Sequence, residues 1–223
     1  MPPNFTLTVA LLTGFAFTAS AQDQPRRFEA GVELVNYSPF AQPYYSYGSS
    51  RLNEKAQWAS AAVFRYNFQR FGLRSGVSYN TGSDKGTGIS NCADCLVGSS
   101  TGKDARLRLG GQYLPLAKAP WLYVFSDFYY RHFTSEGNYT GGFCGCLDTD
   151  VAVTSDGVGN STGLGFKIRA WRQFYLNPEV YYDVLRANNT ITSTSRNSGG
   201  SQQYTTPTSL HAPTIRVNAL IAF

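Results

Sequence analysis

The sequence predicts an all-β protein, an eight-stranded antiparallel up-and-down transmembrane β-barrel. Three observations carry that prediction. Apolar and polar residues alternate in eight separate segments, as strands between two different environments require. The connections alternate between short and long, placing tight turns on one rim and loops on the other. Aromatic residues gather at two levels along the strands, as they do at the two interfaces of a bilayer.

The first segment, Phe28 to Tyr37, sets Phe28, Ala30, Val32 and Leu34 against Glu29 and Glu33. In the second, Trp58 to Phe68, Trp58, Ala62, Phe64, Tyr66 and Phe68 oppose Arg65 and Asn67. The third, Phe71 to Asn80, opposes Phe71, Leu73, Val77 and Tyr79 to Arg74, Ser78 and Asn80. The fourth, Asp104 to Leu114, carries Ala105, Leu107, Leu109 and Tyr113 on one face and Arg106, Arg108 and Gln112 on the other. In the fifth, Trp121 to Phe133, Leu122, Val124, Phe128 and Tyr130 oppose Tyr123, Asp127, Tyr129 and Arg131. The sixth, Thr162 to Ala170, sets Leu164, Phe166 and Ile168 against Gly163, Gly165, Lys167 and Arg169. The seventh, Phe174 to Arg186, sets Leu176, Val180, Tyr182 and Val184 against Asn177, Glu179, Tyr181 and Asp183. Pro178 falls inside it, where a bulge is expected. The eighth, His211 to Phe223, carries Ile215, Val217, Ala219, Ile221 and Phe223 opposite Arg216 and Asn218. A bare edge invites aggregation, so this last strand is expected to pair with the first and close the sheet.

Tight connections are expected at Gln69-Arg70, through Pro115 to Pro120, and around Trp171 to Gln173. Long loops are expected from Ser38 to Gln57, Thr81 to Lys103, Thr134 to Ser161 and Ala187 to Leu210. Near the short turns lie Phe28, Phe68, Phe71, Tyr113, Trp121, Phe174 and Phe223; toward the loops lie Trp58, Tyr79, Tyr130 and Tyr182. The step from Trp58 to Phe68 spans ~33 Å of strand. Tilted by roughly 40°, that covers about 25 Å, the height of a bilayer's apolar band. A soluble ligand-binding barrel would turn its apolar face inward, and it is the alternative fold-level reading. The two aromatic levels favour the apolar face outward, against lipid.

The polar faces then point inward. They carry Arg65, Arg74, Arg106, Arg108, Arg131, Lys167, Arg169 and Arg216 against Glu29, Glu33, Asp127, Glu179 and Asp183. Eight strands enclose a space just wide enough for side chains, so these charges are expected to pair and plug it. Counting up from the turns matches Arg108 with Asp127 and Lys167 with Glu179, and sets Arg216 between Glu179 and Asp183.

Composition agrees. Tyr and Phe, 15 each, far outnumber the single Met, a balance that favours strands and interfaces over helical bundles. The net charge of +5 comes from Lys and Arg spread singly, a poor footprint for nucleic acid, so no nucleic-acid partner is expected. Residues 1–21 read as a secretory signal peptide: an apolar stretch from Phe5 to Thr18, then Ala19-Ser20-Ala21 before Gln22. Residues 22–223 then form one barrel domain.

Taken with the signal peptide, the alternating connections and the terminal Phe223, these strands resemble the small OmpA/OmpX/OmpW-type outer-membrane barrels of Gram-negative bacteria. The resemblance covers residues 22–223 and is one of architecture, with no loop motif that fixes an activity. It implies location in the cell outer membrane, with lipid as the surrounding partner. It also implies that Phe223 is the assembly signal read by the barrel-assembly machinery during insertion.

Few residues suggest chemistry. Cys92 and Cys95 fall in the second loop, and Cys144 and Cys146 in the third. In an exported chain, disulfides are expected over a four-thiolate metal site, with the connectivity open. Asp148, Asp150 and Asp156 form an acidic stretch without the pattern of a calcium loop, and no metal or cofactor is expected. His132 and His211 are the only histidines; an enzyme would need a nucleophile and an orienting carboxylate beside one of them. No motif frames Ser135 and Glu136 next to His132. Two glycosylation patterns, Asn138-Tyr139-Thr140 and Asn160-Ser161-Thr162, carry no meaning in a bacterium. The Tyr-rich loop Pro43 to Gly48 has the composition of an adaptable binding surface. The expected protein is a monomeric, non-enzymatic barrel with a structural or surface-interaction role through its loops. A narrow solute channel is the alternative, and an outer-membrane enzyme a distant one.

Overall fold

A computed structural model describes residues 27–38, 55–87, 97–116, 118–141 and 147–223. The described residues form no helix and nine strands: β1 (Phe28–Ser38), β2 (Lys55–Phe68), β3 (Phe71–Thr87), β4 (Val97–Tyr113), β5 (Leu122–Gly141), β6 (Leu147–Phe166), β7 (Ile168–Arg169), β8 (Phe174–Ser195) and β9 (Ser201–Ala222). All pair antiparallel in one sheet, each with its neighbour in sequence except that β8 takes both β6 and β7. Pairing of β1 with β9 closes the sheet into a ring. Phe223, just past β9, donates its N–H to the Phe28 carbonyl at 2.9 Å and accepts from the Phe28 N–H at 3.3 Å.

Eight strands were expected and nine are found, and Pro178 accounts for the difference. It lacks an N–H for the ladder. Pairing between β6 and β8 stops at Gly165–Glu179 and resumes in the same register at Ile168–Leu176. Phe166 stands opposite the proline in this register, and the strand is divided just after it, at Lys167. The bulge expected at Pro178 is absent, since Pro178 pairs with Val217 without a register shift. The register instead shifts in β1, between Glu33 and Val35. Across from it, Ala59 of β2 adopts a left-handed φ of 47°. At the β2–β3 turn, Gln69 takes the same region with a φ of 53°.

The strands also run far past the expected loop boundaries. Most of Thr81–Lys103, Thr134–Ser161 and Ala187–Leu210 is strand. Those extensions are rich in Ser, Thr and Asn, and their few apolar inward positions, such as Val151, Val153 and Ile191, are too sparse to mark a strand by alternation. The closing ladders are shorter: β1–β9 covers Glu29–Tyr37 and β2–β3 covers Ala61–Phe68. Above them, β3 to β6, β8 and β9 continue as a taller wall.

Ring closure fixes the tilt. Paired residues lead from Ala222 through Glu29, Arg65, Arg74, Gly110, Asp127, Ser161 and Asp183 to Ala212, on the strand where the path began. One circuit thus slips ten residues along β9. A slip of about 33 Å over eight crossings of about 4.8 Å tilts the strands by about 40°.

The interior is filled by pairing large side chains with none. From Gly157 to the turn end, the inward positions of β6 are Gly157, Gly159, Ser161, Gly163 and Gly165, and aromatic side chains of β5 lie against this bare wall. A Cβ on Gly159 would stand 2.2 Å from the Tyr129 ring, and one on Gly165 would stand 2.3 Å from the Tyr123 ring. Tyr123 cannot step aside, because its hydroxyl is bonded to Glu179 at 2.6 Å. Gly165→Val is therefore expected to destabilise by about 1–3 kcal/mol through overpacking. Val158→Leu, on the opposite face of the same strand, is expected to cost little. Urea midpoints of the two variants check this.

Candidate functional site

Ionisable side chains fill the ring. The sheet has two faces, and pairs of residues on non-neighbouring strands meet at hydrogen-bond distance, which is possible only through the interior. Glu179 of β8 is fully buried. Its carboxylate accepts from Arg65 of β2 at 2.6 Å, Arg74 of β3 at 3.0 Å, Tyr123 of β5 at 2.6 Å and Arg216 of β9 at 2.5 Å. Asp127 of β5 accepts from Arg216 Nη2 at 2.7 Å. Arg74 Nε lies 3.1 Å from Asp127 Oδ1, an ion contact without hydrogen-bond alignment. Three arginines thus share two carboxylates. The surplus charge lies against rings: Arg74 is 4.1 Å over Phe125, Arg216 is 4.7 Å over Tyr181, and Arg65 is 5.2 Å over Tyr123.

Further pairs stand above and below this centre. Glu33 accepts from Arg108 at 2.8 Å, Asn36 at 2.9 Å and Ser60 at 3.2 Å. Nearer the tall wall, Asp104 takes a two-pronged contact from Arg131, at 2.9 and 3.0 Å, and another from Arg106 at 2.8 Å. Toward the turns, Glu29 pairs with Lys167 and accepts from Asn67 at 2.9 Å. Asp183 accepts from Ser161 at 2.8 Å. Among the described residues, little space remains around these charges. A void of about 10 Å³ lies between Glu33, Arg106, Arg108, Tyr181, Asp183 and Arg216, and a second of about 10 Å³ lies beside Arg74 and Asp127. Each is about the size of one water molecule.

The structure brings together the expected interior residues with one exception. Arg169 is exposed on β7 and donates to the Arg172 carbonyl at 3.0 Å. It lies in the turn beyond Lys167, past the end of the enclosed column, so alternation alone misplaced it. The expected partners are also corrected. Arg108 meets Glu33 rather than Asp127, Lys167 meets Glu29 rather than Glu179, and Arg216 joins Glu179 to Asp127 rather than to Asp183. Arg216 and Glu179 are paired on neighbouring strands as their heights suggest, but the Arg108–Glu33, Lys167–Glu29 and Arg216–Asp127 contacts cross the ring, so heights matched on adjacent strands did not find them. Asp104 was not in the expected set because it stood at the margin of its segment. Its signal was the phase it shares with Arg106 and Arg108.

The acidic stretch does not form a cation site. Asp150 and Asp148 face Arg196, at 2.6 and 3.6 Å, and Arg196 holds the Asp150 carboxyl below its ordinary pKa. Asp156 Oδ1 accepts from Tyr130 at 2.6 Å and lies 2.7 Å from His132 Nδ1. No group of three metal-ligating residues occurs among the described residues. His132 therefore has an orienting carboxylate, but among the described residues no hydroxyl or thiol is bonded to its other nitrogen. Cys92, Cys95, Cys144 and Cys146, residues 1–21 and the Pro43–Gly48 stretch lie outside the described residues.

Arg216→Ala and Asp127→Ala are each expected to destabilise by ~3–5 kcal/mol, because each strands a buried charge. Together they should cost less than their sum, which a double-mutant cycle in urea measures. Arg169→Ala should change stability little. Strict additivity for the first pair would refute the coupling.

No protein-family model matches this sequence, and no curated protein matches it.

Proposed function

We propose that this chain is an integral outer-membrane β-barrel, plugged by its charged interior, with a structural or surface-interaction role exposed beyond the membrane. The observation that carries the reading is the outward face of the ring. Leu73, Val77, Leu107, Leu109, Phe128, Val158, Leu164, Val180 and Ile215 are all about half exposed or more. They lie on β3, β4, β5, β6, β8 and β9, and the exposed Leu34 of β1 and Phe64 of β2 carry the band around the rest of the ring, far beyond the apolar patch a water-soluble monomer shows. Charge is buried where a soluble barrel would bury its apolar core.

Aromatic rings bound this band. On the turn rim, Phe223, Phe28, Tyr66, Phe68, Phe71 and Tyr113 form a chain of ring contacts, with centroids 4.8 to 6.4 Å apart. Trp121 and Phe166 stack across the ring from them, at 5.9 Å. On the other side stand Trp58, Tyr79, Tyr130 and Tyr182. Eight to ten residues separate the two levels along a strand, which at this tilt is about 20–25 Å, the height of an apolar band. Polar groups inside the band satisfy one another. Asn160 donates to Ser126 at 3.0 Å, Thr162 donates to Asn160 at 2.8 Å, and the Ser126 and Thr162 hydroxyls are 3.0 Å apart. Closure leaves the spanning backbone paired, as strands in hydrocarbon require.

On this reading residues 1–21 are removed on export, and Phe223 marks the chain for the assembly machinery. The folded protein is a monomer, with neither cofactor nor catalytic role, in keeping with the resemblance of its architecture to the small outer-membrane barrels. The packed interior argues against the channel alternative.

Leu109→Arg is expected to cost up to about 2–4 kcal/mol on folding into lipid vesicles, and more than Gln112→Arg on the inward face of the same strand would by lipid exposure. Equal tolerance in urea titrations of Leu109→Arg and Leu109→Ala would overturn the lipid-facing assignment. Deleting Phe223 should lower the amount of heat-modifiable protein in the outer membrane. In planar bilayers the wild type should pass no steady current; a steady single-channel conductance would replace the plugged reading by the channel.

A further inference from the structure

We propose that the outward face of β4, β5, β6, β8 and β9, just beyond the upper aromatic belt, binds the phosphate groups of lipid headgroups through an arc centred on Lys103 and Arg186. The inference rests on the membrane-spanning reading above.

Both residues point outward. Lys103 lies between the buried Gly102 and Asp104, and Arg186 between the buried Leu185 and Ala187. Both are exposed, and neither has an ion-pair partner among the described residues. An unpaired arginine beside an apolar band is costly unless an anion meets it.

Tilt brings these two side chains level. Tyr79, Ala105, His132, Asp156 and Asn188 form one paired row across β3 to β8. At a tilt of about 40°, each step along the row climbs about 3 Å along the ring axis, and each residue along a strand spans about 2.5 Å of it. Lys103 is two residues above Ala105, and Arg186 is two residues below Asn188. Both therefore stand about 7–8 Å above Tyr79, while Tyr130 stands about 1 Å above it. His132 and His211 fall at about 6 Å on the same scale. A bilayer whose interface lies at Tyr79 and Tyr130 places its headgroups at this height.

The one acid on the arc is Asp156. Its Oδ1 is already taken by Tyr130 and His132, so it is tied to the aromatic belt and to the histidine rather than to either cation. What remains toward the headgroups is a guanidinium, whose paired N–H donors match phosphate oxygens, and an ammonium that binds them as a point charge.

The test uses the full folded chain in phosphatidylcholine vesicles, with or without added phosphatidic acid. The readout is the temperature at which the folded gel mobility is lost. Phosphatidic acid should raise that temperature in the wild type, and Lys103→Gln/Arg186→Gln should lose most of the rise. Cations on the turn rim are the same in both proteins, so the difference belongs to the arc. Lys103→Glu, an independent variant, should lose part of the rise. Entry into pure phosphatidylcholine with the same dependence on phosphatidic acid in all three proteins overturns the arc alone. An equal rise with oleate in place of phosphatidic acid overturns the assignment to phosphate. Failure of the wild type to enter phosphatidylcholine vesicles overturns the membrane reading beneath it.

Discussion

Four side chains from four strands converge on the two oxygens of Glu179, at a position fully closed to solvent. An ionised carboxylate so enclosed is tolerable only with its charge and its lone pairs fully met. Meeting them fixes where β2, β3, β5 and β9 stand relative to β8. Neighbouring strands are held by their ladders, but a ladder permits sliding by pairs of residues. The cross-ring contacts remove that freedom, because one slip would empty the Glu179 site and strand three arginines. The carboxylate acts as the pin of the register, and the ten-residue slip of the closed ring follows from it.

The arrangement also inverts the usual economy of a folded chain. The interior is held by ions and hydrogen bonds, while the large apolar side chains of the strands face outward. Such an inversion is stable where the surroundings are apolar too, since the outward side chains then lose nothing by exposure. Its cost falls on the buried charges. Seven cations, Arg65, Arg74, Arg106, Arg108, Arg131, Lys167 and Arg216, face six carboxylates, Glu29, Glu33, Asp104, Asp127, Glu179 and Asp183. The near balance leaves little net charge, and aromatic faces take up the rest.

The faces of the strands were legible because a period of two is a local property. Every charged residue placed inward by alternation, apart from Arg169 beyond the strand break, is found in the interior. Apart from Arg216 with Glu179 on neighbouring strands, partners were not legible, because they depend on how far the ring slips in closing, and no local stretch encodes that slip. Arg108 shows the difference: its height suggested Asp127 on the next strand, yet it reaches Glu33 across the ring. Strand ends were hidden for another reason. Beyond the apolar band the outward face meets water and the inward face carries only a few apolar side chains, such as Val151, Val153 and Ile191, among Ser, Thr and Asn, so the alternation fades. The break at Lys167 needed two strands at once, since its cause, Pro178, lies on the neighbour.

The glycine face of β6 makes the interior lopsided. All the bulk that closes the ring on that side comes from β5 and β8, through Tyr123, Phe125, Tyr129 and Tyr181, while β6 offers mostly bare backbone. The wall and the stopper are therefore separate parts of the molecule. A lineage descended from this chain need not rebuild its ring to acquire a conduit: trimming a few aromatic side chains would uncover a furrow already running down β6, lined by peptide groups and guarded by arginines.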